Sequence, residues 1–302
     1  MRERQLIAEL LAPLATHPAA RGLVDDAAVW LPPLGRELVL THDTIASGVH
    51  YLPADPPSDV AWKLLAVNLS DLAAKGATPA AVLLGVTLGP AEDDEWLRAF
   101  VDGLGRALAH FEVALFGGDT VRWDGAAVLG CTAIGHIERG AALARSGARP
   151  GDGLWVSGSV GDAGLGLAMA RGELPTDKAV LNRYRRPEPR LALGRALPGV
   201  ATACMDVSDG LLIDAARLAA ASGTGVEIDL DRIPARDADR LRAATAGDDY
   251  ELLFTAPAGA DVAALATARV PLTRVGRVTE GNGLRVLDHG REVTPGRLGW
   301  EH

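Results

Sequence analysis

Two cysteines in 302 residues, Cys131 and Cys204, are too few for a disulfide framework, and neither belongs to a CxxC pair. A structural zinc site is disfavoured for the same reason, and a reducing cytoplasm is the expected compartment. Long apolar runs are also missing. None approaches the ~20 residues of a membrane helix, and the opening "MRERQLIAELLAPLA" reads as an amphipathic helix rather than a leader. Positive charge is not in excess: the formal net charge is −9, which argues against a nucleic-acid partner. The one Arg-rich stretch, "NRYRRPEPR", is broken by Pro and Glu and reads as a solvated helix junction. Several nucleotide and nucleophile signatures are absent: there is no GxxxxGK[ST], no GxSxG and no HRD/DFG pair. "VSGSVGDAGLGLAMA" imitates a dinucleotide fingerprint, but the GxGxxG register fails. Gly158 and Gly161 are read there as chain turns and Asp162 as a helix cap.

What remains is a chain with 48% hydrophobic and 23% charged residues, enough for ample core in two ordinary domains. Apolar runs of strand length alternate with helical patterns. "ELVLTHDT", "AVLLGVTL", "VALFGGDT" and "AAVLGCTAIGHI" are predicted strands, and the segments near 60–75 and 92–110 are predicted helices. We divide the chain into residues 1–140 and 141–302, with the turn cluster "RSGARPGDG" just past the division. The second half reads as strand, helices, the strand "ATACMDV", and further helix–strand alternation, closing on two strand-like segments. The fold class expected is α+β in two domains.

The helix predicted over "PSDVAWKLLAVNLSDLAAKG" is apolar nearly all round, as buried helices are. An ionised carboxylate on such a helix is costly unless paired or metal-bound. Asp71 therefore needs a partner. It also has company. "LTHDT" and "FGGDT" place Asp43 and Asp119 at strand ends, "VDDAAVW" holds Asp25 and Asp26, and "MDVSDG" holds Asp206 and Asp209 between a strand and a helix. Each alone reads as a turn former or N-cap; Asp209 before Gly210 would suit a cap for "LLIDAARLAAA". Together, hard oxygen ligands at several strand ends suit Mg²⁺ with substrate phosphates, where zinc would call for His and Cys.

These motifs resemble those of thiamine-monophosphate kinases, within the larger group that includes aminoimidazole ribonucleotide synthetase. The matching pieces are "DDAAVW", "THDTIASGVHYLP", "AWKLLAVNLSDLAAKGATP", "FGGDT", "ARSGARPGDGLWVSG", "MDVSDGLLIDAARLA", "GDDYELLF" and "GWEH", in the family's order from about residue 25 onward. The resemblance implies the two-domain fold of that synthetase. Its N-terminal domain carries a mixed sheet with helices, binds ATP and Mg²⁺ and pairs as a homodimer; the C-terminal α/β domain completes the site. It implies transfer of a phosphoryl group from ATP to thiamine monophosphate with Mg²⁺, giving thiamine diphosphate and ADP. Asp26, Thr41, His42, Asp43, Asp71, Asp119, Asp206 and Asp209 match the family's metal positions, and Asp43, Asp71, Asp119 and Asp209 are the catalytic candidates. Gly118, Asp119, Arg145 and Ser208 match nucleotide contacts; His50, Asp248 and Trp300 match the thiamine phosphate pocket.

Three departures carry expectations. Val24 stands where the family has glycine before the paired acids, and a β-branched residue resists φ > 0. His42 replaces a small hydroxyl, and Asp248 is one methylene shorter than the usual Glu. Competing readings are another ATP-using member of the group, or a silent nucleotide- and metal-binding relative. A selenophosphate synthetase-like protein would carry a reactive residue near its start, often Cys, and no cysteine precedes Cys131.

Overall fold

A computed structural model describes residues 3–267 and 269–301; the closing His302 of "GWEH" lies outside them. The chain divides into two compact units. One runs up to Leu72 and from Thr78 to Gly140; the other comprises Ala73–Ala77 and the chain from Ala141.

In the first unit, α1 (Glu3–Leu6) continues into a π-helical turn, Ile7–Leu11, and a 3-10 turn, Ala12–Leu14. The expected N-terminal helix is thus present but irregular, since Pro13 has no N–H to continue an α pattern. Then come β1 (Arg36–Ala46), α2 (Pro57–Ala74), β2 (Thr78–Leu88), α3 (Asp94–Phe111), β3 (Ala114–Arg122) and β4 (Val128–Glu138). Among the described residues these strands form a four-stranded sheet in the order β1-β4-β2-β3. β4 is antiparallel to both β1 and β2, whereas β2 and β3 are parallel through the α3 crossover, so the sheet is mixed. Val60 through Ser70 of α2 are all buried, as the all-round apolar pattern requires. The helix stops at Gly76, whose φ of +74° is the left-handed conformation glycine adopts without strain.

In the second unit, β5 (Gly153–Ser157), α4 (Asp162–Ala170), α5 (Lys178–Arg185), α6 (Leu191–Ala196), β6 (Ala203–Val207), α7 (Leu211–Ser222), β7 (Gly225–Asp229), α8 (Arg240–Ala244), β8 (Glu251–Ala256), β9 (Leu272–Thr279), β10 (Gly283–Asp288) and β11 (Arg291–Val293) follow in order. Among the described residues they build a seven-stranded sheet, β11-β10-β7-β9-β5-β8-β6. β8 and the edge strand β6 beside it are buried along their whole length. α7 packs Leu211, Leu212, Ala215, Leu218 and Ala219 into one core with Val156, Met205, Val207 and Leu253. This fixes the β6–α7 connection, where the "SDG" of the sequence falls.

Candidate active site

α2 lies against the edge of β1 through polar bonds. The Thr41 hydroxyl donates to the Asp71 carboxylate. One turn earlier on the helix, Asn68 accepts the Asp43 backbone N–H at 2.8 Å, while its own amide donates to Leu64 O at 2.9 Å. The acid on the apolar helix therefore has a partner, and Thr41, Asp43 and Asp71 are brought together. All three are half-buried.

His42 is not part of that group. Side chains alternate along a strand, and the burial of β1 alternates too: Thr41 and Asp43 are half-buried, His42 and Thr44 exposed. His42 instead bonds across the sheet. Its Nδ1 meets Thr132 Oγ1 at 2.9 Å and its Nε2 meets Thr44 Oγ1 at 3.3 Å. Gly130 makes the space, because a Cβ there would lie 3.0 Å from the imidazole Cε1. His42 does line a cavity of about 750 Å³ within this unit, together with Asp25, Asp26, Gly118 and Asp119. Asp25 pairs with Arg21, a hydrogen bond that holds its carboxyl below the usual carboxylate range. Gly118 is needed for close approach: a Cβ would sit 2.2 Å from the Leu84 carbonyl oxygen of β2.

Val24 shows how the loop before the acids adapts. Its φ is −107°, and the left-handed turn is displaced upstream to Arg21, Gly22 and Leu23 at +50°, +64° and +58°. The β-branched side chain excludes φ > 0 at its own position, so its neighbours take that conformation. His50 sits in the turn after β1, where its Nδ1 accepts the Ala46 N–H at 3.1 Å and Lys63 Nζ donates to its carbonyl at 2.8 Å. With Nδ1 accepting, the imidazole carries its proton on Nε2.

In the second unit, four candidate residues meet at one loop. The Ser208 carbonyl accepts the Asp248 N–H at 2.7 Å, and the Asp209 carbonyl accepts the Trp300 N–H at 2.9 Å. Both loop N–H groups, of Ser208 and of Asp209, donate to Asp214 Oδ2 at 3.1 Å. The Asp209 carboxylate bonds Arg217. Asp209 is no helix cap: the α7 N-cap is Gly210, which has no side chain to offer. Asp206 is buried in the adjoining strand β6. Asp248 and Tyr250 both have positive φ, +63° and +51°, and the Tyr250 hydroxyl donates to Asp248 Oδ1 at 3.0 Å. Non-glycine residues held there in sequence are strained, a pattern common in ligand loops. Trp300 is 53% exposed, its indole N–H donates to Ala246 O at 2.7 Å, and the Arg297 guanidinium lies 5.8 Å above its ring. Arg145 is exposed on the stretch before β5, its carbonyl accepting the Ser222 hydroxyl at 3.3 Å.

Three further acids of this unit, Asp214, Asp249 and Asp162, organise its loops. Asp214, fully buried, has its carboxyl pushed up to about 6 by burial. Asp249 accepts Gly161 N–H at 2.7 Å and Ala163 N–H at 3.3 Å at the start of α4; burial pushes its carboxyl up to about 8. Asp162 is the first residue of α4, following the N-cap Gly161, so the cap expected from Asp162 is supplied by Asp249 from across the unit. Only a long-range contact could reveal that. Asp214 carried a local signal, an acid in the first turn of the helix after "SDG", where the helix dipole favours negative charge.

Within each unit, the candidate acids among the described residues do not form a closed cage. Among the described residues, the group of three acid or histidine ligand atoms within 4.8 Å of one another is Asp231, Asp288 and His289, all exposed and apart from these motifs.

The fold, with Thr41 and Asp43 of β1 meeting Asp71 of α2 in one unit and Asp209 on a strand–loop–helix connection in the other, is that of the aminoimidazole ribonucleotide synthetase group. Residues 24–137 match the family model "AIR synthase related protein, N-terminal domain" and residues 149–289 match its C-terminal domain. A thiamine-monophosphate kinase of Caulobacter vibrioides is 42% identical over 98% of this chain and 89% of its own; that of Escherichia coli K12 is 40% identical over 93% and 91%. The solved thiamine-monophosphate kinase of Stenotrophomonas maltophilia K279a superposes with a TM-score of 0.80 at 42% identity, covering 87% of this chain and 89% of that one. A structure described as AaThiL complexed with AMPPCP and TMP gives 0.77 at 30% identity over 100% and 99%. Hydrogenase maturation protein HypE in complex with ATP, at 22% identity and TM-score 0.83 over 98% and 95%, shares the fold. The chain belongs to the thiamine-monophosphate kinase family.

Proposed function

We propose that this protein transfers the γ-phosphoryl group of ATP to thiamine monophosphate, giving thiamine diphosphate and ADP. The observation that carries the reading within this chain is the bond from Thr41 to Asp71 beside Asp43, together with the Ser208–Asp209–Asp248–Trp300 cluster. These are the positions at which the family motifs demand chemistry.

The acceptor is a phosphate monoester with a second pKa near ~6, hence mostly dianionic at neutral pH. It needs no general base. The task is to align two phosphate groups that repel each other and to offset their charge. Thr41 Oγ1 and the Asp43 and Asp71 carboxylates are hard oxygen donors, with the Asp43 backbone held by Asn68 and Thr41 bonded to Asp71, and they fit Mg²⁺. Mg²⁺ is characteristically held by one or two carboxylates plus substrate phosphates rather than by an all-protein cage, so the open arrangement suits it. When bound, it neutralises phosphate charge during in-line transfer. Asp26 and Asp119, facing one cavity with Gly118 and His42, are assigned to the nucleotide phosphates and their cations, as are Asp206 and Asp209 in the second unit. Arg145 and Ser208 are assigned to the nucleotide itself. His50 is assigned to the thiamine phosphate. Asp248 and the Trp300 ring suit the cationic thiamine end; Arg297 already places a cation over that ring.

Two further assignments complete the reading. The protein works as a homodimer through its N-terminal unit, which the exposed Leu38 and Leu40 of β1 support. It is cytoplasmic, which suits two buried free thiols; among the described residues no helix is long and apolar enough to cross a membrane.

A coupled ADP-release assay with ATP, Mg²⁺ and thiamine monophosphate, read out by chromatography of thiamine diphosphate, tests the proposal. ADP release that depends on thiamine monophosphate is the expected result. Nucleotide binding without turnover would instead make the chain a silent relative. A trapped phospho-His or phospho-Asp that goes on to product would replace direct transfer by a two-step route.

A further inference from the structure

The Ser208–Asp209 loop has every backbone polar group engaged. Its carbonyls accept from Asp248 and Trp300, at 2.7 Å and 2.9 Å. Its two N–H groups end on a single atom, Asp214 Oδ2, each at 3.1 Å. The other oxygen of that carboxylate, Oδ1, accepts Arg217 Nη1 at 2.8 Å, and the same Nη1 bonds the Asp209 side chain. One fully buried carboxylate thus fixes the loop backbone and, through Arg217, the side chain of Asp209.

Helix capping does not explain this arrangement. The N-cap position is Gly210, at φ +127°, and Asp214 reaches back from inside the first turn to amides that precede the helix. Holding two N–H groups needs no charge, since a carboxamide oxygen would accept both, and a buried carboxylate is expensive unless its charge is used. Here the charge holds Arg217. Arg217 is 39% exposed at its side chain and anchored at Asp214, so it can release Asp209 to a cation while keeping its inner bond.

We propose that Asp214 is the positioning residue of the Ser208–Asp209 loop, fixing its backbone directly and the Asp209 carboxylate through Arg217 before any ligand arrives. The proposal rests on the reading of Asp209 as a group that serves phosphoryl transfer.

The test uses the full chain with Asp214→Ala, Asp214→Asn and Arg217→Met. In the ligand-free protein, the Ser208 and Asp209 amides should exchange hydrogen about tenfold or more faster in Asp214→Ala, with β5 and β8 amides unchanged. The isosteric Asp214→Asn, which keeps an acceptor for both amides, should restore most of that protection. In turnover, Asp214→Ala and Arg217→Met should raise the Mg²⁺ concentration for half-maximal rate about 10- to 100-fold, as loss of a supporting partner does. KM for thiamine monophosphate should stay within about threefold, because uniform binding of that substrate is untouched. Unchanged amide exchange in Asp214→Ala would overturn the proposal. So would a lowered Tm with wild-type kcat and Mg²⁺ dependence, which marks a merely structural role. A wild-type protein inactive on thiamine monophosphate would remove the functional reading, while the exchange experiment still decides whether Asp214 sets the loop.

Discussion

The backbone N–H of Trp300 donates to the carbonyl of Asp209 at 2.9 Å, which lays the end of the chain on the loop that carries a candidate metal ligand. The neighbouring Ile213 N–H takes the Leu298 carbonyl at 3.2 Å, and a Cβ on Gly299 would lie 2.4 Å from Asp209 O. Residues 298–300 are therefore bonded to the Ser208–Asp209 loop and to the first turn of α7.

Trp300→Ala should accordingly act on the acceptor more than on the fold. The ring is 53% exposed, so little burial is lost. A desolvated cation–π contact is worth about 0.5–2 kcal/mol, which predicts a KM for thiamine monophosphate raised about 2- to 30-fold. Trp300→Phe should recover part of it. Equal KM values for wild type and Trp300→Ala would remove the ring from the acceptor pocket.

Asp71→Asn leaves the size of the side chain unchanged and keeps an oxygen for the Thr41 hydroxyl. Its far-ultraviolet circular dichroism and Tm should stay near wild type. Turnover should fall by several orders of magnitude, since a charge that organises phosphates is lost. Thr41→Val is the companion variant: it removes the hydroxyl bond but not the carboxylate, and should lose less. Near-normal ADP release from Asp71→Asn would take Asp71 out of the metal site.

Gly118→Ala tests the middle of β3 where it lines the cavity. The added methyl would meet the Leu84 carbonyl oxygen at 2.2 Å, and neither backbone can yield without disturbing the β2–β3 pairing. A cost of about 1–3 kcal/mol follows for such overpacking, read as a lower Tm with weakened nucleotide binding. A variant as stable as wild type would mean that β3 relaxes freely there.

Much of this arrangement was legible in the residues, because it depends on local periodicity. The all-round apolar pattern of α2 announced a buried helix, and Gly76 announced its end. The acids of β1 and β3 were visible as Asp beside Thr and Gly. Asp43 and Asp119 nevertheless lie inside β1 (Arg36–Ala46) and β3 (Ala114–Arg122) rather than at the strand ends expected, because the pairing with β4 and β2 runs on past them. What stayed hidden depends on three-dimensional partners. Strand alternation separates His42 from Thr41 and Asp43, although the three are adjacent in sequence. Asp249 caps α4 from 86 residues away along the chain at Ala163, a pairing no window on the sequence contains. The displaced left-handed turn at Arg21–Leu23 is an intermediate case: the conflict at Val24 was visible, but not which neighbours would resolve it.

Homodimerisation can be tested on β1. Leu38 and Leu40 are 44% and 62% exposed on alternate positions of that strand, and apolar side chains exposed in a row mark association surfaces. Leu38→Glu with Leu40→Glu should convert a dimer into a folded monomer in sedimentation velocity at micromolar concentration. A wild-type protein that sediments as a monomer would refute the assignment.

Asp249 gives a pH dependence with a definite sign. Its carboxyl is moved from 3.8 to about 8, with burial the largest cause and the N–H bonds from Gly161 and Ala163 opposing it. Between these values the folded protein holds a proton that the unfolded chain has released. Stability attributable to this group is therefore full below the unfolded value and declines as pH rises through the folded one. Asp214, raised to about 6 by burial, slopes the same way over a narrower range. Asp249→Asn cannot ionise and keeps one acceptor oxygen, which serves the shorter bond from Gly161 at 2.7 Å, while the Ala163 N–H at 3.3 Å, bound to the other carboxylate oxygen, loses its acceptor. The Tm of Asp249→Asn minus that of wild type should rise steadily from about pH 4 toward about pH 8, whatever constant offset the lost Ala163 bond adds. Carboxylates lowered by ion pairs, such as Asp237 beside Arg242, act below this window and are common to both proteins, so they cancel in the difference. Parallel Tm curves from about pH 4 to 8 would show that Asp249 is not held protonated by its burial.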